Sequence, residues 1–164
     1  MRVSIYNKGV SYNGETVKSP LPKESTTEAA AVDVSTPVPF VLEVGAKHLV
    51  DTGLIIKAPR GYCIQVLPRS GLACKKGITI PNAPGLIDRD YCGPDDVIKI
   101  MLVNQGNEAV EFKAGDRVAQ LLFTPYITVS WDEEEKATFA KVTSRGGFGS
   151  TGVDRKSGLW NRRT

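Results

Sequence analysis

The segment around Arg69 combines groups that could bind a phosphate. An apolar run ends at Pro68, and Arg69, Ser70 and Gly71 follow it at the start of a possible helical turn. Backbone N–H groups at the start of a helix, with a cation beside them, attract anions. The same residues would also suit an ordinary turn with Ser70 as its N-cap, so this segment alone leaves both interpretations open.

Asp88 lies where a second apolar segment meets polar residues. Alternation of side chains from Ile87 would place Asp88 and Asp90 together on the opposite side of an extended strand. A carboxylate at the end of an apolar strand is a candidate general base, because burial can tune its pKa. A hairpin whose aspartates cap the turn is the alternative.

Two further segments could reach phosphate oxygens. Arg117 and Gln120 follow a Gly-Asp pair, which would equally suit a plain hairpin turn. Residues 144–152 combine glycines and hydroxyls with Arg145 and Phe148. Glycines let a backbone approach phosphates closely, hydroxyls donate to them, and an aromatic ring can stack on a base. No Gly-Lys-Ser/Thr follows, so this segment is not a Walker A loop.

The cysteines and the histidine exclude several other chemistries. Cys63, Cys74 and Cys92 are spaced too widely for a structural zinc site, and their odd number does not suit a disulfide framework. Cysteine–histidine catalysis would need His48, which lies in a turn-like stretch that predicts a surface loop. The chemistry must therefore come from carboxylates, backbone donors and arginines.

Short apolar segments predict the elements that position these residues. They are rich in β-branched and aromatic types and bounded by Gly, Pro, Asn or Asp, and the clearest are residues 97–103 and 117–123. This pattern is typical of an all-β sandwich, barrel or jelly roll, with one helical turn expected at 70–76. We expect a β-sandwich catalytic domain over residues 1–142, followed by a flexible glycine-rich C-terminal arm and basic tail over 143–164.

Charge and hydropathy limit the partners. The net charge of +3 resides in residues 153–164, which leaves the rest of the chain neutral and argues against a nucleic-acid-binding face. No apolar stretch approaches the roughly 18 residues of a membrane helix, and the first residues do not resemble a signal peptide. We expect a cytoplasmic protein (for a viral source, one of the host cytoplasm or nucleus) with no membrane contact and no direct nucleic-acid binding.

Taken in order, these segments resemble the motifs of the trimeric deoxyuridine triphosphatases, the dUTPase family. The five motifs are recognisable in residues 30–34, 68–73, 82–91, 115–120 and 146–152. Any one of them is a weak signal, but five in order over most of the chain are highly specific.

The resemblance implies a jelly-roll (β-clip) protomer in a homotrimer with shared active sites. It implies an enzyme, a dUTP diphosphatase, in which water attacks the α-phosphate of dUTP with the help of Mg²⁺ to give dUMP and pyrophosphate. By position, Asp88 would be the general base that activates the water, and Asp33 would reach the magnesium ion through water. Tyr91 would pack beneath the deoxyribose and leave no room for a 2′-hydroxyl.

The remaining substrate contacts that the resemblance implies fall into three groups. The uracil pocket would be lined by Asn82, Gly85, Leu86, Ile87 and Lys99. The phosphates would be held by Arg69, Ser70, Gly71 and Gln120. The fifth motif would contribute Arg145, Phe148, Gly149, Ser150 and Thr151. Phe148 would stack over uracil, while Ser150 and Thr151 would hold the outer phosphates.

The sequence departs from the family pattern in three places. Ala31 replaces a glycine of the first motif. The family's arginine five residues before the phenylalanine of the fifth motif is here Thr143, and Arg145 lies only three before it, which leaves the phosphate role of Arg145 open. Residues 94–96 lengthen the segment after the third motif.

Two alternatives remain beside dUTP hydrolysis. Related dCTP deaminases carry a catalytic glutamate three residues before the asparagine that ends the next strand, a place held here by Met101, so deamination is not expected. A protein that keeps the fold and adds a protein-binding regulatory role stays open, with residues 94–96 or the basic tail as candidate contacts.

Overall fold

Antiparallel strands make up most of the regular secondary structure in a computed structural model that describes residues 2–139 and 143. The strands are β1 (Ser4–Asn7), β2 (Val10–Tyr12), β3 (Glu15–Val17), β4 (Lys23–Glu24), β5 (Ala31–Ser35), β6 (Phe40–Leu42), β7 (Lys47–Asp51), β8 (Leu54–Lys57), β9 (Tyr62–Leu67), β10 (Ile78–Thr79), β11 (Gly85–Ile87), β12 (Lys99–Asn104), β13 (Val110–Phe112) and β14 (Arg117–Pro125). The helices are α1 (Ser70–Lys76) and α2 (Lys136–Phe139). The all-β fold expected from the sequence is confirmed.

The chain divides into two units after residue 127. The first unit contains the fourteen strands of the described residues and α1, and the described part of the second contains α2. The boundary expected at residue 142 stays a prediction. Among the described residues, no helix combines the length and the apolar character that crossing a membrane would require.

Two antiparallel sheets position the residues of interest. The larger has the order β11-β9-β14-β5-β4, and the smaller has the order β10-β12-β7. The strands β1 and β8, β13 and β6, and β2 and β3 form separate antiparallel pairs. β9 is therefore an inner strand of the larger sheet, with β11 on one side and β14 on the other.

Strand alternation decides which side chains enter the core and which stay available for chemistry. In β12, Ile100 and Leu102 are fully buried in the core cluster, whereas the alternating residues Lys99 and Met101 are exposed. In β5, Val34 enters the same core, so Asp33 beside it points to the other face of the sheet. The polar residues expected in a site are thus carried on the outer faces of well-packed strands.

Helix α1 forms where expected, but its N-cap differs from the prediction. Arg69 is the N-cap, with extended backbone (φ −91°, ψ 126°), and Ser70 is the first helical residue. The prediction of Ser70 as the N-cap was therefore wrong. At the other end, Gly77 adopts φ +68° and approaches Gly106 so closely that a Cβ would lie 2.4 Å from its backbone nitrogen. This contact anchors the end of α1 to the connection between β12 and β13.

His48 lies in a strand rather than in the surface loop that the sequence predicted. It belongs to β7, pairs with Leu102 of β12 and is half-buried. Its ring stacks on Phe40 with ring centroids 4.0 Å apart. Burial lowers the pKa of this imidazole. The turn-like stretch before His48 ends where β7 begins. Pairing with the strongly apolar strand β12 extends the chain from Lys47 onward.

Candidate active site

Asp33 is the centre of a charged cluster on the outer face of the larger sheet. Its Oδ1 accepts a hydrogen bond from Arg69 Nε at 2.8 Å, and its Oδ2 accepts from Arg117 Nη1 at 3.0 Å and from Ser25 Oγ at 2.6 Å. Arg69 Nη1 also donates to the carbonyl oxygen of Arg117 at 3.2 Å. Gln120 lies opposite Asp33 in the register of β5 and β14. We call Asp33, Arg69, Arg117 and Gln120 the arginine platform.

The platform holds the Asp33 carboxylate in its charged form. The carboxylate side chain is only 10% exposed, and this burial by itself would raise its pKa. The hydrogen bond from Ser25 and the charge of Arg69 outweigh burial, so the pKa of Asp33 lies below its ordinary value. The pairing in turn fixes the Arg69 guanidinium, whose side chain is 23% exposed.

The donor set of the platform fits a magnesium ion that is held through water. A carboxylate offers about four lone-pair positions, and the three hydrogen bonds to Asp33 leave one of them free, on Oδ1. Mg²⁺ usually keeps several waters and is bound through one or two carboxylates and the phosphates of a substrate. Within the described residues, no group of three His, Cys, Asp or Glu side chains could form an all-protein cage. A water on the free position of Asp33 is therefore a contact that the described part of the chain can offer.

The start of α1 lies directly beside the platform. Arg69 is the N-cap, no side chain among the described residues caps the helix, and the first backbone bond of the helix runs from Ala73 N to the Arg69 carbonyl. The N–H groups of Ser70 and Gly71 thus remain free for a ligand, and a Cβ built on Gly71 meets no atom within 4 Å. Gln120 Nε2 donates to the Pro68 carbonyl at 2.9 Å and so fixes the chain that leads into the helix.

A second group of predicted residues surrounds a narrow cavity between β11 and β12. All five residues expected in a uracil pocket line this cavity of about 50 Å³: Asn82, Gly85, Leu86, Ile87 and Lys99. Gly85 lies so close to β9 that a Cβ would meet the Val66 side chain at 3.2 Å. We call this cavity the hairpin pocket. Its walls combine apolar side chains with the amide of Asn82 and the ammonium of Lys99.

The carboxylate of Asp88 lies in a turn, not on a strand. β11 ends at Ile87, and Tyr91 N donates to the Asp88 carbonyl at 3.2 Å, while Cys92 N donates to the Asp90 carbonyl at 2.8 Å. The extended alternation considered beyond Ile87 does not form, because these backbone bonds curl the chain into a turn, as in the alternative interpretation. Asp88 is exposed and lines an open cleft of about 390 Å³ with Arg89, Asp90 and Tyr126. Tyr91 is 39% exposed, and its hydroxyl donates to the Val97 carbonyl at 3.2 Å.

The arginine platform and Asp88 lie at opposite ends of β9. Ile87, next to Asp88, pairs with Ile64, whereas Arg69 follows five residues later along the chain. At about 3.3 Å per residue, the backbones of Ile87 and Arg69 are about 16 Å apart along the direction of β9, and Asp88 lies beyond Ile87. The Arg69 side chain also turns away from β11 toward Asp33 on β5, which is two strands from β9 on the opposite side. One chain therefore does not bring Asp88 and the platform together.

Some of the predicted site residues belong neither to the arginine platform nor to the hairpin pocket, and some residues of the observed site were not predicted from the sequence. Arg145, Phe148, Gly149, Ser150 and Thr151 lie outside the described residues. Ser25 was missed, because nothing in the sequence signals that the short polar strand β4 brings it against β5. Arg117 was noted only as a possible phosphate contact, whereas the structure places its guanidinium on Asp33. Met101, which takes the place of the deaminase glutamate, lines the hairpin pocket.

Comparison with known proteins identifies a family and several relatives. The dUTPase family model matches residues 17–152. The deoxyuridine 5'-triphosphate nucleotidohydrolase of Wolbachia sp. subsp. Brugia malayi is 43% identical over 136 residues, which cover 81% of this chain and 85% of that protein.

Solved structures share the fold at lower sequence identity. The dUTPase of Staphylococcus bacteriophage 80alpha with dUPNHPP has a TM-score of 0.75 and 24% identity, covering 93% of this chain and 99% of that chain. A mutant dUTPase from phage phi11 of S. aureus, which coordinates a structural Mg(II) ion, has a TM-score of 0.69 and 20% identity, covering 83% of this chain and 98% of that chain. The protomer fold expected from the sequence motifs is confirmed.

Proposed function

The chain belongs to the dUTPase family and hydrolyses dUTP to dUMP and pyrophosphate, and we propose that it does so at sites shared between the subunits of a homotrimer. The reaction limits uracil incorporation into DNA and supplies dUMP for dTMP synthesis. One observation carries the proposal of shared sites. The groups that the reaction needs at one triphosphate, Asp88 and Arg69, lie at opposite ends of β9 within one chain.

Asp88 is proposed as the general base. Its carboxylate takes a proton from a water molecule while the oxygen of that water attacks the α-phosphorus of dUTP. The bond from the α-phosphorus to the bridging oxygen breaks, and pyrophosphate leaves with the electron pair. A base must reach the water without competition from other partners, and the exposed position of Asp88 in its turn satisfies this requirement.

The arginine platform and the start of α1 are proposed to hold the phosphates. Phosphoryl transfer relies on positioning and on neutralising charge rather than on covalent help. Arg69, fixed by Asp33, supplies a charged donor, and the N–H groups of Ser70 and Gly71 supply neutral ones. Gln120 keeps the chain before Arg69 in place. Mg²⁺, when bound through water to Asp33, would neutralise further charge on the phosphate oxygens.

The hairpin pocket is proposed to select uracil. The amide of Asn82 and the backbone of β11 can pair with the edge of a base, and a wrong base would leave these pocket groups without partners. The narrow cavity excludes the additional methyl group of thymine by steric contact. Tyr91, next to Asp88 in the same turn, is proposed to pack beneath the sugar and exclude a 2′-hydroxyl.

The exposed apolar side chains around the hairpin pocket support an oligomer. Leu86 is 62% exposed, Leu49 is 52% exposed, and Leu49 pairs directly with Met101 of the pocket. A patch of this kind beside a polar site is typical of a surface that another subunit covers. In the proposed trimer, the platform of a neighbouring subunit would lie against the Asp88 turn. Residues 144–152 are proposed to complete the site with Phe148 over the base.

The variant Asp88→Asn tests the proposed base. It keeps the size and position of the side chain but removes its basicity. We expect binding of a non-hydrolysable dUTP analogue to stay within a few-fold of wild type, while kcat falls by at least about 10²–10⁴. The variant Asp90→Asn makes the same change two residues away and should keep most of the activity. A kcat of Asp88→Asn near wild type would remove Asp88 from the role of base.

A further inference from the structure

The ring of Tyr91 is attached to a carbonyl at the far end of a short loop. Residues 93–96, which we call the acidic loop, lie between Tyr91 and Val97 and include the residues that lengthen this segment relative to the family pattern. The Tyr91 hydroxyl donates across the loop to the Val97 carbonyl at 3.2 Å. Because the ring itself is 39% exposed, the position of that carbonyl helps to determine where the ring lies.

The chain beyond the loop is firmly anchored. Ile98 is fully buried, its N–H donates to the Leu54 carbonyl at 2.8 Å, and its carbonyl accepts from the Thr52 hydroxyl at 2.6 Å. Val97 is also buried, and its N–H donates to the Asp95 carbonyl at 2.8 Å. The peptide that carries the Val97 carbonyl is thus fixed on one side by the bonds of Ile98 to Leu54 and Thr52, and on the other by the acidic loop.

Asp96 closes the acidic loop. Its Oδ2 accepts a hydrogen bond from Gly93 N at 2.7 Å, and its own N–H donates to the Gly93 carbonyl at 3.2 Å. The contact is tight, since a Cβ on Gly93 would lie 2.9 Å from that carboxylate oxygen. The carboxylate therefore holds both ends of the loop in one conformation.

An ion pair connects the outer side of the acidic loop to the segment between β1 and β2. Lys8 Nζ lies 2.5 Å from Asp95 Oδ1, and both side chains are solvent-accessible. The backbone of Lys8 is itself attached to the body through its N–H, which donates to the Gly53 carbonyl at 2.8 Å. Exposed pairs contribute little to global stability, so this pair acts mainly on the local position of the loop.

We propose that Asp96, assisted by the Lys8–Asp95 pair, is a positioning residue that places Tyr91 and so determines how strongly the enzyme discriminates against ribonucleotides. The inference rests on the proposed function, in which Tyr91 excludes the 2′-hydroxyl by contact. Discrimination by contact depends on the place of the ring, because a small displacement opens room for one oxygen atom. The acidic loop fixes that place through the bond from Tyr91 to Val97.

The test compares kcat/KM for UTP with kcat/KM for dUTP. Asp96→Ala removes the acceptor for Gly93 N, and we expect the UTP/dUTP ratio to rise about tenfold, the factor that one hydrogen bond of this kind is worth. Asp96→Asn keeps an acceptor oxygen and should return the ratio to within about twofold of wild type. Asp95→Asn, which breaks only the exposed pair, should raise the ratio about two- to threefold.

Two controls separate positioning from general loosening. Asp116→Ala removes a bond of the same type, from Lys113 N to the Asp116 carboxylate at 2.8 Å, in another turn, and should leave the ratio unchanged. In a Tyr91→Phe background, the hydroxyl that transmits the effect is gone, so Asp96→Ala should add no more than about twofold.

An unchanged ratio in a folded, active Asp96→Ala enzyme would overturn the inference, as would an equal effect in the Tyr91→Phe background. If Asp96→Ala does not fold, the exposed Asp95→Asn variant decides, and an unchanged ratio there would overturn it. Wild-type protein that does not hydrolyse dUTP would instead refute the proposed function, and the inference with it.

Discussion

Mixing two inactive variants tests whether Asp88 and Arg69 act from different subunits. Asp88→Asn removes the proposed base, and Arg69→Gln removes the positive charge at position 69 while keeping a donor for Asp33. Each change is expected to lower kcat at least about 100-fold, the usual effect of losing one base or one charged donor at a reacting phosphate.

The expected recovery follows from the geometry of the protomer. About 16 Å along β9 separates the backbone of Arg69 from that of Ile87, which precedes Asp88. The Arg69 side chain also points away from β11, so one triphosphate cannot meet both groups from one chain. A productive site then needs an intact Asp88 from one subunit and an intact Arg69 from its neighbour. In a random 1:1 mixture about a quarter of the interfaces meet that condition, so about a quarter of wild-type activity should return.

The assay is pyrophosphate release from dUTP after the two variants have been unfolded together and refolded as mixed oligomers. Differently tagged chains show by co-purification that the subunits have exchanged. The same treatment of each variant alone should give no recovery. Activity of the exchanged mixture no higher than that of the separate variants would show that both groups act from one chain, and the reasoning from strand register would be refuted.

Three further changes probe the cluster at Asp33, the single histidine and the C-terminal segment. Asp33→Asn removes the charge that Arg69 and Arg117 share and should lower the free energy of unfolding in urea by about 1–3 kcal/mol, together with kcat; unchanged stability would show that the ion pairs contribute nothing. Burial lowers the pKa of His48 in the folded protein, so the imidazole binds a proton more readily in the unfolded chain. The contribution of His48 to the free energy of unfolding should therefore be fully present above about pH 6.5, the ordinary pKa. It should be lost as the pH falls through the lower pKa of the folded state. His48→Phe keeps the stacking on Phe40 and should flatten this dependence of stability on pH. An unaltered dependence would show that His48 is not its source. Truncation after Thr143 should abolish turnover but leave the melting temperature unchanged, because the core lies within the first unit; an unfolded product would contradict this.

The residues that line the hairpin pocket could be predicted, because the family motifs are local in sequence. Asn82, Gly85, Leu86 and Ile87 follow one another along one segment, and the structure brings them with Lys99 around one cavity. The apolar runs also predicted the main strands, since β-branched residues between turn residues leave few other conformations.

The remaining features depend on pairing between distant segments. Ser25 reaches Asp33 through the two-residue strand β4, which has no hydrophobic pattern to reveal it. Asp88 leaves the alternation of β11, because backbone bonds in the turn compete successfully with extension of the strand. His48 lies in β7 because β12 pairs with it, and a local turn signal cannot show that partner.

The most direct test of the account is the product pattern from four nucleotides. Purified protein is incubated with Mg²⁺ and dUTP, dCTP, dTTP or UTP in parallel, and pyrophosphate and ammonia are measured. The hairpin pocket and Tyr91 predict rapid pyrophosphate release from dUTP, at least about 100-fold slower release from the other three, and no ammonia. Ammonia from dCTP would point to a deaminase, and no product from any nucleotide would contradict the enzymatic account.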